Sequence, residues 1–169
     1  MKINIILALD SMRGIGKNNK LPWNIPNELR YFSKLTRGNG NNAIIMGRKT
    51  WESLPNKPLL KRENLILSKN LITDKVINNT IVKSFDSIDA VLKFSNNKYD
   101  SLWVIGGEQI YKEFINNYES IIDNIYLTCI NKSYDCDSFF PKLNSIWKLK
   151  TIEKSENPDL YEYQIYSKQ

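Results

Sequence analysis

"NAIIMGRKTWESL", Asn42 to Leu54, changes character at one residue. Before Gly47 the chain is apolar and rich in isoleucine. After it comes "RKTWESL", a helical pattern. A continuous apolar run suits a strand buried on both faces. A single glycine then turns the chain into a helix, which is the repeating unit of an α/β fold. The helix opens on Arg48 and Lys49. A helix start offers free N–H groups to an anion, and two cations stand there as well.

The same alternation runs along the chain. "INIILAL" (3–9), "NLILS" (64–68), "TIVKS" (80–84), "SLWVIG" (101–106) and "NIYLTCI" (124–130) are further short apolar runs. Helical patterns separate them: "PNELRYFSKLT", "FDSIDAVLKFS" and "EQIYKEFINNY". Asp86 stands where it can cap the second of these. "LYEYQIYSK" near the end alternates Tyr and Ile with polar residues, as an edge or hairpin strand does. The Asn-rich joints "RGNGNN", "INNT" and "SNNK" read as loops. The expectation is an α/β domain with a mostly parallel mixed sheet, an antiparallel C-terminal edge and about four helices.

At 169 residues the chain is expected to form one domain. Its 41% hydrophobic and 25% charged residues are those of a soluble globular protein. No run is long enough to span a membrane. "NIILAL" lacks a small-residue cleavage site, so it is a buried strand rather than a signal peptide. Cys129 and Cys136 fit no metal or redox spacing, and a reduced, cytoplasmic setting is expected. The net charge of +6 is spread along the chain and interleaved with acids. It marks a solvated basic surface that also attracts small polyanions. No nucleic-acid motif is present, and neither a nucleic-acid nor a membrane partner is expected. There is no histidine. Acid–base chemistry near neutral pH must fall to a carboxylate, Lys, Tyr, Cys or water, and no metal site is expected.

One carboxylate is oddly placed. In "LPWNIPNELRYF" (21–32), a helix from about Pro26 puts Glu28 on the same side as Phe32 and Leu35. The residues at i+3 and i+4 are Tyr31 and Phe32, so no cation pairs with it. A second strand-to-helix turn, "LWVIGGEQIYKEF" (102–114), carries Gly106-Gly107. It and "GIGKNN" both miss the G-x-G-x-x-G fingerprint. Arg48-Lys49 and Ser68-Lys69 nevertheless each follow a strand end, and on neighbouring strands they would clamp a ribose phosphate.

"ALDSMRGIGKNNKLPWNIPNELRYF", "IIMGRKTWESLP", "PLLKRENLILS", "VIGGEQIY", "IYLT" and "DSFFP" stand in the order and spacing of dihydrofolate reductases. The resemblance runs from about Ile3 to Pro141, with a C-terminal hairpin after it. It implies one domain around an eight-stranded sheet, with roughly residues 42–98 holding the adenosine end of NADPH. It also implies NADPH-dependent reduction of dihydrofolate to tetrahydrofolate, a step in one-carbon and thymidylate metabolism and a target of antifolates, by a monomer.

The resemblance assigns roles position by position. Glu28 is the pocket acid, paired with the pterin through two parallel hydrogen bonds. Trp23 orders a water beside it, and Thr128 hydrogen-bonds its carboxylate. Ile6, Ala8, Leu21, Phe32, Leu54, Leu59 and Ile105 line the pterin, benzoyl and nicotinamide pockets. Arg62 grips the α-carboxylate of the glutamate tail. Tyr111 lies by the nicotinamide, with Ala8, Ile15, Ile105, Gln109 and Ile110 also on the cofactor. Gly47 is on the cofactor, Gly106-Gly107 holds the pyrophosphate turn, which contains a cis peptide in that family, and Thr50 meets the pyrophosphate. Arg48, Lys49, Ser68 and Lys69 meet the ribose phosphate. "MRGIGKNNKLPW" resembles the mobile loop that closes over the nicotinamide. In that geometry the acid is too far from the protonated ring nitrogen. Glu28 therefore orients and polarises the pterin while water delivers the proton.

Three features depart from the pattern. Glu28 is one of two acids used at its position, the other being Asp. Glu108 replaces a common third glycine and is expected to point away from the diphosphate. "TRGNGNN" is longer than in compact bacterial forms. A riboflavin-pathway reductase of the same fold would not need Arg62 or the "PWNIPNELRYF" helix (22–32). A basic nucleotide- or RNA-binding protein would have no use for Glu28.

Overall fold

A computed structural model describes residues 1–169. Eleven strands and four α-helices follow one another along the chain. They are β1 Lys2–Leu9, β2 Gly14–Gly16, α1 Pro26–Arg37, β3 Asn42–Gly47, α2 Arg48–Ser53, β4 Glu63–Leu67, β5 Asp74–Ile77 and β6 Thr80–Phe85. After these come α3 Ile88–Ser95, β7 Ser101–Val104, α4 Glu108–Asn117, β8 Asn124–Ile130, β9 Ser138–Phe139, β10 Trp147–Lys154 and β11 Tyr161–Lys168.

Nine strands form one sheet in the order β10-β11-β8-β1-β7-β3-β4-β6-β5. The six from β8 to β6 run parallel, as the continuous apolar runs require. β10 and β11 form the expected antiparallel hairpin, with β10 at the edge and β11 against β8. The ninth strand corrects the expected eight. β5 pairs antiparallel with β6 at the opposite edge. It is short and largely exposed, so it carries no buried-strand pattern. Asn78 and Asn79, read as loop, form the two-residue turn between these strands, both at positive φ.

Alternation along β1 divides the core. Ile3, Ile5, Leu7 and Leu9 join Ala43, Ile45 and Leu65 on the face packed by Ile88 and Val91 of α3 and by Tyr111, Phe114 and Ile115 of α4. Ile6 joins Ile44, Met46, Ile66 and Trp103 on the other face, where Phe32 and Leu35 of α1 and Trp51 of α2 lie.

Pro26 occupies the first turn of α1, where its missing N–H costs nothing. α3 is capped by Ser87, whose hydroxyl accepts from the Ala90 N–H at 3.2 Å, and not by Asp86 as expected. No helix is long and apolar enough to cross a membrane.

Candidate active site

Glu28 is 5% exposed on α1. Thr128, in register with Ala8 across the β1–β8 pair, donates its hydroxyl to Glu28 Oε1 at 3.3 Å. No cation pairs with the acid. Burial pushes its pKa up to about 7 against the pull of the Thr128 hydrogen bond. The indole N–H of Trp23 is buried with no acceptor in the chain, and its ring meets Tyr134 edge-on at 5.3 Å.

The apolar positions divide unevenly. Ile6, Phe32, Leu54, Leu59 and Ile105 come together in one cluster on the α1 face of the sheet. Ala8 packs instead with Trp23 and Tyr31. Ile15 and Ile110 pack on the opposite core. Leu21 is 54% exposed and joins none of these clusters.

Arg62 is buried. Its Nη1 donates to Thr36 Oγ1 at 2.6 Å and to the Ser33 carbonyl at 3.4 Å, while Nε has no acceptor in the chain. Burial, then the nearby Arg37, lowers its pKa to about 10. Thr36 and Asn64, which sequence reasoning missed, hydrogen-bond Arg62 and the segment before it. The Asn64 amide holds both Leu59 N–H and Leu59 C=O at 2.9 Å and the Arg62 carbonyl at 2.8 Å. Its only signal was a polar residue opening an apolar run.

The turn residues meet along the carboxyl ends of neighbouring strands β7, β3 and β4, where open α/β sheets bind ligands. The Gly47 N–H donates to the Gly106 carbonyl at 2.8 Å. The Gly106-Gly107 peptide is cis, and Gly106 has φ +119, a conformation that favours glycine. A Cβ at Gly107 would lie 3.3 Å from Thr50 Oγ1, so the turn and α2 are in contact. Gly47 pairs with Leu67 in register, which places Arg48 beside Ser68. Arg48 donates to both carboxylate oxygens of Glu52, at 2.8 and 2.9 Å. The Ser68 hydroxyl accepts from the Asn70 and Leu71 N–H groups. Lys49, Lys69 and Gln109 are exposed beside these turns.

Tyr111 is buried and donates its hydroxyl to the Ile6 carbonyl at 3.0 Å. Burial raises its pKa far above the ordinary range. Glu108 is turned to protein partners. It accepts from the Phe139 N–H at 3.0 Å and pairs with Lys112 at 3.4 Å. In the 12–23 loop, β2 pairs with β9.

A parallel sheet with glycine turns at its carboxyl strand ends, and one buried unpaired acid on a flanking helix, is the arrangement of an α/β protein that binds its ligand at the strand ends. A family model described as dihydrofolate reductase matches residues 2–168. The chain is 39% identical to a dihydrofolate reductase of Heliothis virescens over 85% of this chain and 81% of that one. It is 37% identical to that of Bacillus subtilis over 98% and 94%, and 33% identical to that of Sus scrofa over 98% and 97%. The chain belongs to the dihydrofolate reductase family, and it is accordingly an oxidoreductase.

Proposed function

We propose that the protein, as a cytoplasmic monomer, reduces 7,8-dihydrofolate to 5,6,7,8-tetrahydrofolate with NADPH, and so supports one-carbon and thymidylate metabolism. The observation that carries this reading is Glu28, a buried acid whose one hydrogen-bond partner in the chain is a neutral hydroxyl. Such a group needs a complementary ligand. A pterin's ring N–H and amino group offer two parallel donors to one carboxylate.

The residues present fit NADPH. The Gly47 and Gly106-Gly107 turns bring backbone close to the carboxyl ends of β3 and β7, where a diphosphate would lie beside Thr50. Arg48, Lys49, Ser68 and Lys69 would hold the ribose phosphate. The adenosine end would rest on residues 42–98, the part of the sheet from β3 to β5. NADPH supplies the hydride. Glu28 orients and polarises the pterin, held by Thr128, and water ordered by the Trp23 N–H delivers the proton. Ile6, Ala8, Phe32, Leu54, Leu59 and Ile105 exclude bulk water around the rings, with Leu21 as an outer wall. Arg62, preset by Thr36 and Ser33, takes the α-carboxylate of the tail. Tyr111, Ile15, Gln109 and Ile110 border the cofactor.

The test is the absorbance of NADPH with the purified protein. Oxidation that depends on dihydrofolate supports the reading. Oxidation driven instead by an aminopyrimidine of the riboflavin pathway, or none with either substrate, refutes it.

A further inference from the structure

Asp10 directly follows β1, is 1% exposed and makes no ion pair. Four donors meet its carboxylate. Oδ1 accepts from the N–H groups of Met12 at 2.9 Å and Gly14 at 2.7 Å. Oδ2 accepts from the Tyr134 N–H at 2.9 Å and the Cys136 thiol at 3.5 Å. The donors belong to two loops more than a hundred residues apart in sequence. The main chain adds Asp10 N–H to the Gly14 carbonyl at 2.9 Å and Ser11 N–H to the Lys132 carbonyl at 3.1 Å. A buried carboxylate persists only when it is well hydrogen-bonded. Burial alone would raise the Asp10 pKa, but the donors outweigh it and hold the group below the usual range.

The two loops also touch. A Cβ at Gly14 would fall 2.4 Å from Cys136 Cβ and 2.9 Å from Asp10 Oδ1, so position 14 has no room for a side chain. Just beyond the knot, Ile15 packs on the core that contains Tyr111 and Phe140. β2 then pairs with β9, whose Phe139 N–H is held by Glu108 at the start of α4.

We propose that Asp10 is a positioning residue for hydride transfer: its carboxylate ties Met12 and Gly14 to Tyr134 and Cys136, and so fixes where Ile15 and the loop after it lie over the nicotinamide. The inference rests on the reading above, in which that loop covers the cofactor. Asp10 touches neither substrate nor cofactor and acts through the loop. Its four donors need four acceptor sites, which an ionised carboxylate has and a neutral amide lacks.

Asp10→Asn keeps the shape and turns one oxygen into a donor facing two donors. The variant is followed by thermal melting, hydrogen exchange and steady-state kinetics, with NADPH deuterated at the transferred position as a second cofactor. The expected result is a folded protein whose β1, β7 and β8 amides stay protected while those of residues 11–17 and 131–137 exchange faster. Its kcat falls by about 10- to 100-fold, the cost of a misplacement of roughly an ångström. The isotope effect on kcat grows, and the KM for dihydrofolate changes little. Should Asp10→Asn not fold, Cys136→Ala removes a single donor and gives a smaller fall in kcat with faster loop exchange, while Cys136→Ser restores both. Loosened loops with wild-type kcat and isotope effect overturn the proposal, as does unchanged loop exchange. A wild type that does not couple NADPH to dihydrofolate overturns the proposed function as well, which separates the two failures.

Discussion

Thr128 Oγ1 donates to Glu28 Oε1 at 3.3 Å across a sequence separation of 100 residues, and it is the acid's one hydrogen-bond partner in the chain. The bond joins α1 to the centre of the sheet through β8. It steadies one oxygen of the carboxylate and leaves the acid without a compensating charge.

Burial lifts the Glu28 pKa from its ordinary 4.5 to about 7. The unfolded chain therefore releases this proton first as pH rises. Between about 4.5 and 7 the folded state holds more protons, so stability falls through that window and levels off above it. The gap from 4.5 to about 7 corresponds to about 3 kcal/mol at most. Glu28→Gln has no such penalty. Its melting temperature should exceed that of the wild type at pH 8 by about 2–4 °C per kcal/mol recovered, and match it near pH 4.5. Equal melting temperatures across the range would show that the acid ionises freely in the folded state.

Arg62 tests the tail. Its guanidinium is preset by Thr36 and Ser33, and Nε has no acceptor in the chain. Arg62→Leu should weaken dihydrofolate by about 1.5–3 kcal/mol, the worth of a charge-assisted hydrogen bond. A pterin without the glutamate should bind as before. Equal losses for both ligands would make Arg62 purely structural.

Arg48 tests the cofactor. Its partner in the chain is Glu52 on the same exposed face of α2, a pair worth little by itself. Arg48→Leu should therefore cost little stability. It should raise the KM for NADPH by roughly 10- to 100-fold, equivalent to about 1.5–3 kcal/mol, and leave the KM for NADH nearly unchanged. A parallel rise for both cofactors would remove Arg48 from the ribose phosphate.

Much of this was legible because it is written in local pattern. The strands from β1 to β8 that build the parallel sheet are apolar runs, and the strand-glycine-helix junctions mark the carboxyl edge. Glu28 was visible because helical spacing alone puts it on an apolar face. β5 escaped notice because an exposed edge strand of four residues, opening Asp-Lys, buries nothing that would leave a pattern. Asp86 and Ser87 are both good caps, and only backbone geometry selects the serine. Asp10 and Thr36 were silent for another reason. Each is a polar residue defined by partners from separate elements or loops, and no local periodicity encodes such contacts. Leu21 was carried by resemblance, because an exposed residue outside the core clusters leaves no packing pattern to read.

The most direct measurement is kcat for NADPH oxidation by dihydrofolate from acid to alkaline pH, for the wild type and Glu28→Gln, with a thermal melt of each. Glu28→Gln should remain folded and lose about 10²- to 10⁴-fold in turnover at pH 7, the usual share of such a group. Its residual activity should climb as pH falls, because a substrate protonated in solution no longer needs the carboxylate. A folded Glu28→Gln protein with near-wild-type turnover at pH 7 would contradict the assignment of Glu28 as the acid of this site.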